Sequence, residues 1–475
     1  MNRAELAHRP DSGALGAAEL ARRAVASGTL GAVAAGARTA AVIGSSVLLQ
    51  GGNAFDAAIA AALAETVLLP SKCGLAGDVV AIYLPAGATE PISLLSIGSA
   101  PAGLHDAAAA TGWAPADTGP LSVGVPGAPA GYAALARRGR LGLPALTAPA
   151  IRLARRGITW SAVNVRLAAE SAELLARYQP SGCRYAPSAG ALGPGTTLRL
   201  PGLATLLTAF AGAGAELWHG PLGTIVSDYV TAAGGILTAE DLRTAQVEET
   251  TAERADLADG PVWATGSPSY GPALLAALTA GVSPESVAQA LSQLRAPSDP
   301  ALVDGTSTVA AVDAAGNAVV LVHSNSFPQY GSGLVVPGLD LVLSNRAGRG
   351  FSFVPGHPNS PVAGRRPLTT LHAWATRDAD GSWVLGATPG GEQQVPWNAQ
   401  LLDQVLSPRA ASPAALAAAV TSPRWEFSAA GALIREGAQL ADFGARSSHT
   451  LVRSGRDDVL TAVADPRGDA AAVAV

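Results

Sequence analysis

Two hydrophobic periods share the chain. Small and apolar residues alternate from Val309 to His323 around Gly316-Asn317, which predicts a β-hairpin. Leu334 to Leu343 predicts a second hairpin, and Ala373 to Ala387 a third that turns at Asp380-Gly381. Val79 to Leu84 and Ile92 to Ile97 read as strands. Gly31 to Leu69 reads as two helices joined at Gln50-Gly51-Gly52-Asn53, with Asn53 as an N-cap. Ala145 to Gly157 and Val163 to Tyr178 are further helical stretches, and Arg295 to Pro300 reads as a loop. Arg38, Asp56 and Glu65 interrupt the longest apolar runs, so none reaches the ~20 residues of a membrane span.

Composition narrows the class. At 475 residues the chain exceeds one ordinary core, so two domains or one large layered unit is expected. Charged residues are only 14%, against about 25% in typical domains, and alanine dominates the hydrophobic 48%. A net charge of −5 without basic runs excludes nucleic acid as an expected partner. Met1 to Pro10 has no apolar core of a secretory signal, and two cysteines, Cys73 and Cys183, suit a reducing compartment. A cytoplasmic protein is expected. Cys73 reads as a small buried residue rather than a nucleophile. No P-loop, zinc spacing, dinucleotide fingerprint or repeat is present, so no cofactor and no metal are expected. Asp378-Ala379-Asp380-Gly381 has a hint of calcium spacing but reads as a hairpin turn.

One segment carries chemistry. Asp304-Gly305-Thr306-Ser307-Thr308 runs directly into the first hairpin. A Gly-Thr bond there is either a plain strand start or a site of self-cleavage. A threonine freed at its amine would carry a nucleophilic hydroxyl and its own base, because an α-amine titrates near ~7.7–8.0. Glycine at the preceding position allows the strained backbone such an attack needs.

Seven landmarks follow one another in a telling order. They are Gly51-Gly52-Asn53-Ala54-Phe55-Asp56 with its helix, Cys73 to Gly77, Val125-Pro126-Gly127 with Gly131, Leu237 to Leu242, Asp313 to Val319, Arg366 to Thr370, and Thr388-Pro389-Gly390-Gly391. In this order they resemble the γ-glutamyltransferase family, over most of the chain. The resemblance implies an α+β fold, the four-layer αββα sandwich of N-terminal-nucleophile hydrolases. It also implies a precursor that splits itself between Gly305 and Thr306, giving a large subunit (1–305) and a small one (306–475). The partners expected are a small-molecule substrate and the two subunits as a heterodimer, or a dimer of heterodimers.

Register within the family selects Thr306, seven residues before Asp313 and ten before Gly316, over its neighbours Ser307 and Thr308. The resemblance further implies an oxyanion hole from the amides of Gly390 and Gly391 and a second hydroxyl at Ser324. Asn325 or Ser326 takes the place of a neighbouring asparagine, and Thr369-Thr370 replace a substrate-binding serine pair. Two departures bear on substrate. The family's carboxylate-binding arginine aligns with Ile97, and its amine-binding aspartate falls in a loop that carries Arg346 and Arg349. Those arginines are therefore expected to bind a carboxylate or α-keto acid rather than an ammonium; the alternative is that both face solvent. A third departure is length, since only Ser269 to Gly305 stands where the family has a long helical segment.

Three functional readings follow. The first is a self-processing threonine hydrolase cleaving an amide or other acyl bond of a small anionic, non-γ-glutamyl substrate. Oxamate-type amidohydrolases and homologues from actinobacterial antibiotic pathways, which break an oxalyl-type C–C bond during alkylproline formation, are similar in this respect. The second is a glutathione hydrolase or transpeptidase with a rearranged pocket. The third is a non-catalytic scaffold.

Overall fold

Alternation along each strand sends one set of small side chains to each face, and the chain uses both faces of two sheets. The computed structural model describes residues 24–114, 116–294, 305–378, 380–406, 412–428, 431–436, 448–455 and 458–475. The stretches Met1 to Pro10 and Arg295 to Pro300 lie outside these residues. The first sheet has seven strands in the order Ala471–Ala474, Gly31–Ala35, Thr306–Asp313, Ala318–Ser324, Asp78–Leu84, Ile92–Ser96 and Glu248–Thr251. The second also has seven, in the order Val25–Gly28, Leu460–Ala464, Thr450–Ser454, Trp383–Ala387, Trp374–Arg377, Gly260–Ala264 and Glu253–Leu257.

Ala32, Ala34, Val80, Ile82, Ala310 and Val312 of the first sheet meet Ala375, Leu385, Val452 and Ala462 of the second in one buried layer. Their alternates, Val33, Val79, Ala81, Val309 and Ala311, pack outward with the helices Arg38–Leu49 and Ala54–Leu68. Val262, Ala264, Val384 and Leu451 do the same with the helices Gly271–Thr279, Gln394–Val405 and Pro413–Thr421. The expected αββα sandwich is the observed architecture.

Several elements differ from expectation in bounds. Gly31–Ala35 is a strand rather than the start of a helix, because it pairs on both sides, with Thr306–Asp313 and with Ala471–Ala474. Its run of glycine, alanine and valine has no period strong enough to resist that pairing. The stretch from Val163 to Tyr178 is two helices, Ala162–Glu170 and Ala172–Tyr178. At the break, Ser171 donates its hydroxyl to the Gln329 carbonyl at 3.1 Å. The expected hairpin at Leu334 to Leu343 shrinks to Val335–Val336 against Leu341–Val342. Among the described residues, the shortened segment after Ser269 holds the helices Gly271–Thr279 and Pro284–Ser292.

The helix Ala54–Leu68 is buried nearly all round. Asn53 caps it by accepting from the Asp56 amide at 3.0 Å, and Asp56 returns a contact to the Asn53 amide at 2.9 Å. Asp313 accepts from the Ala54 amide at 2.8 Å and from the Asn317 side chain at 2.8 Å. The helix start and the hairpin turn are therefore locked together. That lock sets where Thr306, at the other end of the strand, must lie.

Candidate active site

The strand Thr306–Asp313 pairs with Ala318–Ser324 so that Thr306 lies opposite Ser324. Thr306 donates its hydroxyl to Ser324 Oγ at 3.2 Å, and Ser324 donates to the Gly305 carbonyl oxygen at 2.8 Å. The Ser326 amide donates to the same Ser324 Oγ at 2.8 Å. One hydroxyl thus touches both the carbonyl and the side chain of the Gly305-Thr306 unit, and all of these residues are buried. Gly305 is demanded by space: a Cβ there would sit 2.1 Å from the Ser326 carbonyl oxygen.

The neighbouring hydroxyls have other duties. Ser307 points to the helix layer, where a Cβ on Gly36 would lie 2.3 Å from its Oγ. Thr308 donates to the Ser448 carbonyl at 3.4 Å and accepts from the Thr450 hydroxyl at 3.0 Å, tying the two sheets together. Thr306, Lys72, Pro389 and Ser448 line a cavity of about 10 Å³, room for about one water. Gly390 and Gly391 follow directly on Pro389, at φ 132° and 58°, and open the turn leading into Gln394–Val405. A side chain on Gly390 would collide with the Trp397 ring at 2.3 Å.

The remaining sequence-selected residues have these partners. Asn325 donates from Nδ2 to the Pro70 carbonyl at 3.2 Å and from its amide to the Lys72 carbonyl at 2.8 Å. It thereby anchors the turn leading into Cys73 to Gly77. Ser326 sits at φ 70°. Thr370 accepts from Gln394 Nε2 at 3.2 Å, while Thr369 is buried and its amide donates to the Pro268 carbonyl at 3.0 Å. Ile97 is buried in the layer between the sheets. Arg346 and Arg349 do not face solvent; both are buried. Arg346 Nε donates to Asp78 Oδ2 at 2.6 Å, and Arg349 lies 3.2 Å from Asp117. Burial holds the Asp78 carboxyl above its usual range, with Arg346 and the Gly98 amide opposing that rise. At the expected turn the Gly381 amide donates to the Asp378 carbonyl at 2.9 Å, and the Asp378 carboxylate accepts from Arg453 Nε at 2.6 Å.

Sequence reasoning missed the buried group behind this site. His323, next to Ser324, contacts Glu65 through Nε2 at 2.7 Å and the Tyr132 hydroxyl through Nδ1 at 2.7 Å. Glu65 also accepts from the Ala37 amide at 3.0 Å. Glu65, an acid near the far end of a mostly apolar helix and away from the Asn53–Asp56 cap, was the available signal. Ligand atoms of Glu65, Cys73 and His323 lie within 4.8 Å of one another. Both ring nitrogens and both carboxylate oxygens already have partners, and burial pushes the Cys73 thiol up, leaving it protonated. The group therefore reads as a satisfied network; it also gives Cys73 the buried role expected of it.

The layered fold is that of the N-terminal-nucleophile hydrolases, whose members are enzymes. The family profile for gamma-glutamyltranspeptidase matches residues 40–293 and 280–475, and the chain belongs to that family. The Acylase ACY 1 proenzyme of Pseudomonas sp. (strain V22) is 34% identical over 235 residues, 47% of this chain and 42% of its own length. The chain thus matches less than half of that relative. The oxamate amidohydrolase proenzyme of Klebsiella pneumoniae is 26% identical over 440 residues, covering 80% of this chain and 81% of its own. The crystal structure of cephalosporin acylase from Bacillus halodurans aligns with a TM-score of 0.81 at 25% identity, over 96% and 97% of the two chains.

Proposed function

We propose that the chain is a precursor that cleaves itself between Gly305 and Thr306 and then acts as an N-terminal-threonine hydrolase. The observation that carries this reading is the Ser324 hydroxyl bridging the Thr306 hydroxyl and the Gly305 carbonyl. In self-cleavage the Thr306 hydroxyl attacks the Gly305 carbonyl carbon, with Ser324 donating to the oxygen that becomes negative. The Gly305–Thr306 C–N bond breaks, the Thr306 nitrogen takes a proton, and an ester remains. One water, matching the ~10 Å³ cavity, hydrolyses that ester. Gly305 keeps a carboxylate and Thr306 gains a free amine.

In catalysis the amine takes the Thr306 hydroxyl proton as the oxygen attacks an acyl carbon. The amides of Gly390 and Gly391 supply the oxyanion hole, where one donor is worth about 10²–10³ in rate. The leaving group departs with the proton, and water hydrolyses the acyl-enzyme. A small acyl group other than γ-glutamyl suits the site, since Ile97 is apolar core and arginines stand where the resemblance places an amine-binding acid. Named relatives that act as acylases and on oxamate support that class. An oxalyl-type C–C bond is the variant in which carbon, not nitrogen, leaves.

The test compares processed enzyme on oxamate, glutaryl-p-nitroanilide and γ-glutamyl-p-nitroanilide. Turnover of oxamate or the glutaryl compound above the γ-glutamyl one is expected. Preference for the γ-glutamyl compound, at the rate of a true transpeptidase, would return the chain to glutathione chemistry.

A further inference from the structure

Lys72 is the only lysine in the chain; every other strongly basic side chain is arginine. It is 6% exposed and lines the same small cavity as Thr306. Its backbone is fixed there: the Lys72 amide donates to the Leu69 carbonyl at 2.9 Å, and its own carbonyl accepts from the Asn325 amide at 2.8 Å. Lysine this buried is rare unless it is paired, because an unpaired charge out of water is costly. Yet among the described residues no carboxylate forms an ion pair with it. The buried acids of this layer have partners of their own. Glu65 is held by His323 and the Ala37 amide, and Asp78 by Arg346. Asp469 lines the same cavity but is exposed.

On the proposed hydrolase reading, we infer that Lys72 is the specificity residue that receives the carboxylate of the acyl group. Thr306 Oγ1 attacks both the Gly305 carbonyl and the substrate, so the substrate's acyl carbon must take the place that Gly305 leaves. Lys72 walls the cavity that opens beside Thr306. The cations first expected to serve the substrate, Arg346 and Arg349, are neutralised by Asp78 and Asp117. A compact ammonium on a flexible stem fits a narrow cavity that a planar guanidinium fork would fill. The substrate class is therefore a short dicarboxylic acid joined through one carbonyl. A γ-glutamyl group would bring an α-ammonium, which a cation at this point repels.

The test uses processed enzyme and its Lys72→Met and Lys72→Arg variants on glutaryl- and pentanoyl-p-nitroanilide, which differ in the terminal carboxylate. The ratio of kcat/KM for glutaryl over pentanoyl should fall roughly 10–150-fold in Lys72→Met, the range for a hydrogen bond to a charged group. Lys72→Arg should recover less than half of the loss on a logarithmic scale. Because Lys72 is the only lysine, amine acylation followed by peptide mass spectrometry also reads its accessibility in the unmutated enzyme. Glutarate should slow acylation of Lys72, and pentanamide should not. This second arm decides the matter if Lys72→Met fails to fold or if neither anilide is turned over. A glutaryl preference that survives Lys72→Met, or acylation indifferent to glutarate, overturns the inference. Failure of the underlying reading looks different, because a Thr306→Ala protein would then keep its activity whatever Lys72 does.

Discussion

Arg346→Met should destabilise the protein rather than merely weaken substrate binding. Arg346 and Asp78 are 3% and 1% exposed and meet at 2.6 Å. Removing one partner of a buried pair costs about 3–5 kcal/mol, because the other charge is left uncompensated. Unfolding entropy of about 2.1 cal/mol/K per residue, over 475 residues, makes 1 kcal/mol worth about 1 °C. The apparent melting temperature should therefore fall by about 3–5 °C near pH 7.5. Acid should narrow the gap. Burial already raises the Asp78 carboxyl above its unfolded value. A raised acid stabilises the fold at pH below its unfolded value and loses that contribution as pH rises through the folded one. Without Arg346 the folded value climbs further, so protonation relieves the variant more than the parent. Asp78→Asn combined with Arg346→Met should recover most of the lost stability, since no buried charge remains. Thermal scans of the parent, Asp78→Asn, Arg346→Met and the double variant at two pH values measure this. An Arg346→Met protein as stable as the parent, with efficiency on glutaryl-p-nitroanilide reduced, would refute it and place Arg346 in the substrate pocket.

Ser324→Ala removes the donor to the Gly305 carbonyl oxygen, and self-cleavage should slow about 10²–10³-fold; a gel time course of freshly made precursor reads this, with Ser324→Thr largely restored. Gly305→Val puts a Cβ 2.1 Å from the Ser326 carbonyl. A displacement of about 1 Å there should slow processing about 10²-fold, so uncleaved precursor should accumulate. Burial lowers His372 to about 4, against about 6.5 unfolded. A depressed histidine contributes stability above pH ~6.5 and loses it as pH falls toward 4. The melting temperature should decline across that window, more shallowly in His372→Gln; equal slopes would contradict the assignment.

The parts of the fold that were legible were local. Gly51-Gly52-Asn53 announced a helix cap because the cap uses residues within one turn. Thr306 was proposed by register from Asp313, whose own contact to the Ala54 amide ties the hairpin turn to the helix start. Gly31–Ala35 was misjudged because its strand identity comes from Thr306–Asp313 and Ala471–Ala474, far away in sequence. Arg346 was visible as a cation, but its partner Asp78 is 268 positions distant. Glu65 and His323 were likewise separated by 258 positions, so each looked like an isolated polar residue. Lys72 could not be placed at Thr306 without the Asn325 contact that brings the two segments together.

The central claim is that Thr306 is the nucleophile of both self-cleavage and catalysis. N-terminal sequencing and intact mass of purified protein test it most directly, with Thr306→Ala beside the parent. The account predicts two polypeptides in the parent, the smaller beginning Thr-Ser-Thr, and a single inactive chain in the variant. A parent that is active as one intact chain, or a Thr306→Ala protein that still splits at Gly305, would contradict it.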